Sequence, residues 1–339
     1  MLISLNYILK RLALSLSIII GILVVTYILI YIAPGNPAYV WAGRPRGLKA
    51  EEAIENAVKE LGLDKPLWMQ IAIHITRFFA GDWGVSIRFK QPVVIVIARN
   101  LMATLELLFF GFLFAIPLSL ILGIYSALYR DSYVGESLYT FMCITLSIPR
   151  FWIAIIFFLI LQNFNINVFG RISPSYSIEI NTITSFYTID SLLAGRLDIF
   201  LDVLRRLIPP AIVIALYPAS LIGRIIRYNL SERLNDEYVK QAISYGISRR
   251  IILFKYALRG VLPSIIQMTG MIFAYTIIDA ATVESIFGRE GIGSAIVKAI
   301  PYNDYPLIIG MMSVVTIVFI VVNTISDIVQ AIIDPRVRL

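Results

Sequence analysis

Cysteine and histidine are almost missing from this chain: one of each, Cys143 and His74, in 339 residues. A single thiol set in an apolar run excludes a disulfide framework, and one imidazole with no thiol near it cannot assemble a zinc site. Charge is scarce as well. Only 15% of residues are Asp, Glu, Lys or Arg, 58% are hydrophobic, and the mean hydropathy is +0.82. Soluble domains carry about a quarter charged residues, so this deficit excludes an ordinary soluble domain and points to an all-α, polytopic membrane protein.

Signatures of catalysis are absent too. There is no G-x-x-x-x-G-K-[ST] phosphate loop, no H-E-x-x-H and no G-x-S-x-G. The run Gly288-Arg289-Glu290-Gly291-Ile292-Gly293 has the wrong spacing for a dinucleotide turn and follows an apolar span. The chain is therefore not expected to be an enzyme or to carry a cofactor, a metal or a catalytic residue, and transport is favoured over membrane enzymology. Energy would then come from a gradient or from a partner. No internal repeat relates the first and last three spans, which counts against an inverted-repeat secondary transporter. No low-complexity tract or linker divides the chain, so one membrane domain, 1–339, is expected.

What the chain does hold is long apolar runs. Six spans are expected, at about Leu12–Ile32, Leu101–Tyr129, Leu138–Gln162, Leu207–Arg227, Val261–Val283 and Leu307–Ile333. The first has 21 residues behind Lys10 and Arg11. That crosses a hydrocarbon core of roughly 30 Å at about 1.5 Å per residue. No small-residue cleavage site follows, so it reads as a retained anchor. Pro117, Pro149, Pro209, Pro210 and Pro218 would bend their spans, which suits either a bundle lining a pathway or packing alone.

The most informative segment is the polar stretch after the fourth span, Tyr228–Gly260. Eight Lys/Arg lie between Arg224 and Arg259. So basic a loop stays on the cytoplasmic side, and both chain ends are expected there with it. The net charge of +7 is read as this positive-inside bias and not as a nucleic-acid footprint. The external segment 33–100 also carries nine Lys/Arg, but exceeds the ~60 residues over which the charge rule operates. Within it, Glu51–Leu61 and Trp68–Phe79 show amphipathic helical spacing and read as part of an outer docking surface. Inside the basic loop a short helix, about Asp236–Tyr245, is expected to end at Gly246, where the chain reverses with φ > 0. Arg249 and Arg250 would begin the helix that leads into the next span.

Ionisable residues within or at the ends of spans are Glu106, Arg150, Arg224, Asp279 and Glu284. A central charge costs about 2.5–3.5 kcal/mol on insertion scales, so each must face the bundle interior, water or a partner. Arg224 is expected to snorkel. Glu106, Arg150, Asp279 and Glu284 are candidates for a translocation pathway, Asp279 being the deepest; structural pairing is the competing reading for each.

Several motifs in order resemble a known family. They are Ile32-Ala33-Pro34-Gly35-Asn36-Pro37, Leu61-Gly62-Leu63-Asp64-Lys65-Pro66-Leu67 and Gly81-Asp82-Trp83-Gly84-Val85-Ser86. Ala103-Thr104-Leu105-Glu106, Ser147-Ile148-Pro149 with Phe151-Trp152, and Val283-Glu284-Ser285-Ile286-Phe287 with Gly291-Ile292-Gly293 follow. Asp304-Tyr305-Pro306 and Asp334-Pro335-Arg336-Val337-Arg338 close the series. Together they resemble, over nearly the whole length, the inner-membrane permease subunits of binding-protein-dependent ABC importers, most closely the B-type subunit of dipeptide, oligopeptide and nickel systems.

The resemblance implies a type I ABC importer permease fold with six transmembrane helices in the cell membrane. Of the family's cytoplasmic signature, E-A-A then three residues then Gly, only Ala242 and Gly246 match. The resemblance makes the segment around them a coupling helix for an ATPase, through Tyr238, Ala242, Tyr245, Gly246, Arg249 and Arg250. It makes Gly288–Pro306 a re-entrant scoop near the pathway mouth. Implied partners are a second six-span permease, two ATP-binding-cassette subunits that hold the ATP and magnesium, an extracellular solute-binding protein, and membrane lipid; nucleic acid is not among them. The implied cargo is short peptides, with oligosaccharides or nickel complexes as alternatives. A gradient-driven secondary transporter is the alternative from another class.

Overall fold

The computed structural model describes residues 5–32, 37–43, 45–47, 49–176, 178–180 and 182–333. The motif residues 33–36 and 334–338, and both chain ends, lie outside them. Helices dominate in the order α1 (Leu5–Ile32), α2 (Pro37–Trp41), α3 (Ala50–Leu61), α4 (Leu67–Phe79), α5 (Val93–Leu128), α6 (Tyr133–Ser147), α7 (Arg150–Asn163) and α8 (Tyr187–Leu193). They continue as α9 (Leu197–Leu234), α10 (Glu237–Ser244), α11 (Arg249–Ile251), α12 (Leu258–Ile286), α13 (Ile292–Ala299) and α14 (Tyr305–Ile333). A π-helical turn, Ile252–Ala257, joins α11 to α12. No strand forms among the described residues; an isolated bridge pairs Val85 with Pro92.

The all-α class is as the sequence indicates, but the spans differ in detail. Among the described residues, three helices are able to cross a membrane by length and composition: Val93–Leu128, Arg249–Ile286 and Tyr305–Ile332. The expected span Leu138–Gln162 is not one helix. It breaks between α6 and α7 with a bend of 101°, and counts as a fourth span only if the bent pair is taken together. Pro149 accounts for the break: it disfavours helical backbone at Ile148, which is extended (φ −81°, ψ 129°). The expected first and fourth spans lie on α1 and α9.

Helix α5 starts earlier than expected, at Val93, and its 36 residues reach about 54 Å at 1.5 Å per residue. That exceeds a hydrocarbon core of roughly 30 Å, so the helix is longer than a crossing needs. Helix α9 runs through Pro209, Pro210 and Pro218 without interruption over 38 residues.

The chain divides into two compact units. Unit 1 comprises residues 1–101 and 294–320. Its amphipathic helices α3 and α4 match the expected Glu51–Leu61 and Trp68–Phe79 closely. Asp304 ties two parts of this unit together: its carboxylate accepts from Ser86 Oγ at 2.5 Å and from the Arg88 amide at 3.0 Å.

Unit 2 comprises residues 102–293 and 321–339. Its core is built from Phe112 and Ala127 of α5, Ile222, Ile226 and Leu230 of α9, Leu253 and Ala257 of the π turn, and Val261, Ile265 and Ile272 of α12. The segment between α7 and α9, which the sequence left without an assignment, folds over its own small core of Ile180, Tyr187, Ile199 and Val203. Asp190 holds it by accepting from the amides of Thr184 and Ser185 and from Thr184 Oγ1.

Candidate functional site

Helix α10 rests on an apolar seat. Its charged first turn begins after Asp236, and Val239 and Ala242, one helical step apart, turn inward against Ile252 of the π turn and Ile247. Its end is a two-bond Schellman closure: the Gly246 amide donates to Ile243 O at 2.9 Å and the Ile247 amide to Ala242 O at 3.2 Å. Gly246 has φ +72°, where a side chain on the α-carbon is disfavoured. Ile247 then packs beside Ala242, completing the apolar contact that accompanies this closure.

The helix is open on either side of this buried edge. Tyr238, Ile243 and Tyr245 are 38%, 58% and 75% exposed, and Arg249 and Arg250 are exposed just beyond them. Five of the six expected coupling residues, Tyr238, Tyr245, Gly246, Arg249 and Arg250, thus lie on the surface, with Gly246 setting the turn. Ala242 does not: its smallness permits close approach to this chain's own Val239 and Ile252. Helix α11, the π turn and α12 run without a break to Ile286, as one helical segment long enough to cross a bilayer.

The four ionisable pathway candidates separate into two environments. Arg150, on the first turn of α7, forms an ion pair with Asp279 of α12. Its guanidinium also lies over the Tyr217 ring, 3.7 Å from the centroid. This cluster is only half-buried, the two side chains being 23% and 33% exposed.

Glu106 and Glu284 are sealed. Glu106 accepts from Arg171 Nη2 at 2.9 Å, and from the Thr188 amide and hydroxyl, each at 2.9 Å. Arg289 Nη2 stands 3.5 Å from the same carboxylate. The Arg171 guanidinium rests on Tyr187, 3.8 Å from the ring centre. Glu284 accepts from Thr104 Oγ1 at 2.5 Å, and Thr104 in turn accepts from the Ile292 amide at 2.9 Å. A side chain at Gly291 would collide with the Glu284 carboxylate, which explains glycine there. Burial pushes the Arg289 guanidinium down to about 10, opposed by Glu106, so it is still a cation at neutral pH. The sequence did not single out Arg171 or Arg289. The usable signal was chemical: two buried carboxylates demand buried cations.

In unit 1, Tyr27, Tyr31, Trp41, His74 and Trp83 line a cavity of about 110 Å³. His74 lies against Tyr27, and burial lowers its pKa to about 4. No group of three or more His, Cys, Asp or Glu side chains gathers as for a metal ion among the described residues.

Comparison with known proteins places these features in a lineage. The model of the family described as "Binding-protein-dependent transport system inner membrane component" matches residues 119–339. The corresponding N-terminal family, "Binding-prot-dependent transport system membrane comp, N-term", matches residues 4–108. The chain is 31% identical to the dipeptide transport system permease protein DppB of Alkalihalophilus pseudofirmus, over 98% of this chain and 99% of that protein. It is 30% identical to DppB of Escherichia coli K12 over the same shares. A putative peptide transport system permease protein of Brucella abortus is 31% identical over 98% of both chains.

Proposed function

The chain belongs to the family of inner-membrane components of binding-protein-dependent transport systems, and from that premise we propose that it is the peptide-carrying permease subunit of an ABC importer. It pairs with a second permease so that cargo passes between the two. A solute-binding protein delivers short peptides from outside, and two ATPase subunits beneath hold the ATP and magnesium. This chain contributes no cofactor and no catalytic group. Both termini lie in the cytoplasm, six segments cross the bilayer, and 1–339 acts as one permease domain. The names of its relatives, dipeptide and peptide permeases, support the cargo.

The observation that carries this reading is α10, a lever seated along one edge and exposed beside it. An isolated cytoplasmic helix of eight residues is marginal in water, so its stability comes from Val239 and Ala242 packed on the π turn. Tyr238, Ile243 and Tyr245 stand exposed beside Arg249 and Arg250. Such a rigid aromatic and cationic patch fits docking into a groove of a motor subunit. ATP-driven closure of the motors would push α10, and the seat at Ile252 would pass the movement through α12 to Asp279, the partner of Arg150.

The test is uptake by proteoliposomes that hold the assembled transporter, with and without internal ATP. Dipeptide accumulation that needs both ATP and the binding protein is expected. Accumulation driven by a proton or sodium gradient without ATP would overturn the reading in favour of a secondary transporter.

A further inference from the structure

Helices α6 and α9 leave a cleft of about 880 Å³ between them, in the part of unit 2 that precedes the lever. Its walls are graded. Leu221 and Ile225 line the end toward the middle of α9, while Asn229, Ser231 and Asn235 line the end toward α10. Three arginines enter it: Arg130 from the turn between α5 and α6, and Arg224 and Arg227 from α9. Two carboxylates, Glu136 and Glu232, also border it, so cations are in excess.

The arginines are arranged around one ring. Arg227 lies over Tyr139 at 4.1 Å and Arg224 approaches the same ring at 5.9 Å. Arg227 pairs through Nη2 with Glu136 at 2.6 Å and is only 13% exposed. Its other terminal nitrogen, Nη1, is buried with no hydrogen-bond partner among the described residues, and the same holds for Ser231 Oγ. Arg224, Arg227 and Ser231 recur at helical spacing along one face of α9. Buried donors without acceptors are costly, so this cleft is short of an anion.

We propose that the cleft binds the headgroup of an anionic phospholipid. Its phosphate diester would accept from Arg224, Arg227 Nη1 and Ser231, and its acyl chains would follow Leu221 and Ile225. The grading from apolar to polar along α9 is what selects a lipid over a free anion: a soluble phosphate has no use for the apolar end. Basic pockets between membrane helices at the cytoplasmic level take such headgroups by the same chemistry. The three last turns of α9 run directly into Asp236 and α10. A bound lipid would therefore brace α6 against α9 at the root of the lever. The site depends on the chain spanning a membrane and not on the identity of the cargo.

The test uses the transporter complex purified in mild detergent, stripped of lipid and supplied with phosphatidylglycerol or phosphatidylcholine, bound lipid being counted by native mass spectrometry. Phosphatidylglycerol should be retained in preference to phosphatidylcholine. The double substitution Arg224→Gln, Arg227→Gln should weaken that retention on the order of tenfold or more. Lys255→Gln with Arg259→Gln, exposed cations outside the cleft, should leave it unchanged. Should the cleft variant fail to fold, a photoactivatable phosphatidylglycerol on the unaltered complex replaces it, with adducts expected on α6 and the end of α9. Retention indifferent to the cleft arginines, adducts confined to other surfaces, or full displacement by inorganic phosphate would each overturn the proposal, the last by making it a free-anion site.

Discussion

Arg150 and Asp279, each alone among apolar neighbours in the sequence, are ion-paired across α7 and α12 beneath the ring of Tyr217. Each charge would be expensive on its own at membrane depth, and each removes much of the other's cost. The pair also sits at the start of α7, immediately after the 101° bend. A rearrangement of α12 would therefore be felt at the hinge of the broken helix.

Breaking this pair should do more harm than removing it. Removing one partner of a fully buried pair costs about 3–5 kcal/mol, and partial exposure lowers this to roughly 1–3 kcal/mol. Arg150→Met and Asp279→Leu should each lower thermal stability in detergent. The double substitution should be less damaging than the two effects added. Additive losses in this cycle would show that the two side chains do not interact.

The sealed network predicts a steeper loss. Glu106→Gln leaves Arg171 and Arg289 buried with no carboxylate between them, a change of roughly 3–5 kcal/mol. The variant should insert but fail to assemble, seen as loss of the partner permease on co-purification. Normal assembly and stability would mean that Glu284 alone is able to neutralise both arginines.

Gly246 separates a conformational demand from a steric one. No atom lies within 4 Å of where a side chain would begin, yet its φ is +72°. Left-handed backbone costs other residues about 1–2 kcal/mol, with Asn least affected. Association with the ATPase should fall in the order Gly246, Asn, Ala, Val. A loss that tracks side-chain bulk alone, with Asn as harmful as Val, would point to a crowded interface instead.

His74 gives a pH signature outside the membrane-spanning helices. Its pKa is about 4 in the folded chain against 6.5 unperturbed, so the unfolded state binds the proton more readily. Stability linked to this group is fully present above about 6.5 and is lost as pH falls toward 4. Thermal unfolding across this window should show a decline that His74→Phe reduces. An unchanged slope would place the acid sensitivity elsewhere.

Much of the fold was legible because its signals are local. The bounds of α3, α4 and α10 follow from apolar spacing, and the turn at Gly246 from the lack of a side chain. The break at Ile148 was obscured because apolar residues continue on both sides of it, although Pro149 carried the signal. Nothing in Ile252–Ala257 marks a π turn. The partners of Glu106 were hidden for a different reason. Arg171 lies 65 residues away, and only the folded segment between α7 and α9 brings it near. Ala242, which the resemblance places among the coupling residues, packs inside with Val239.

The most direct test of the lever uses the single native thiol to advantage. In a Cys143→Ser background, Tyr245→Cys should crosslink to the co-expressed ATPase, and Val239→Cys, facing the π turn, should not. Crosslinking should also arrest ATP-dependent peptide uptake. A chain that gives no adduct from Tyr245, yet accumulates peptide after ATP is exhausted, would contradict the account.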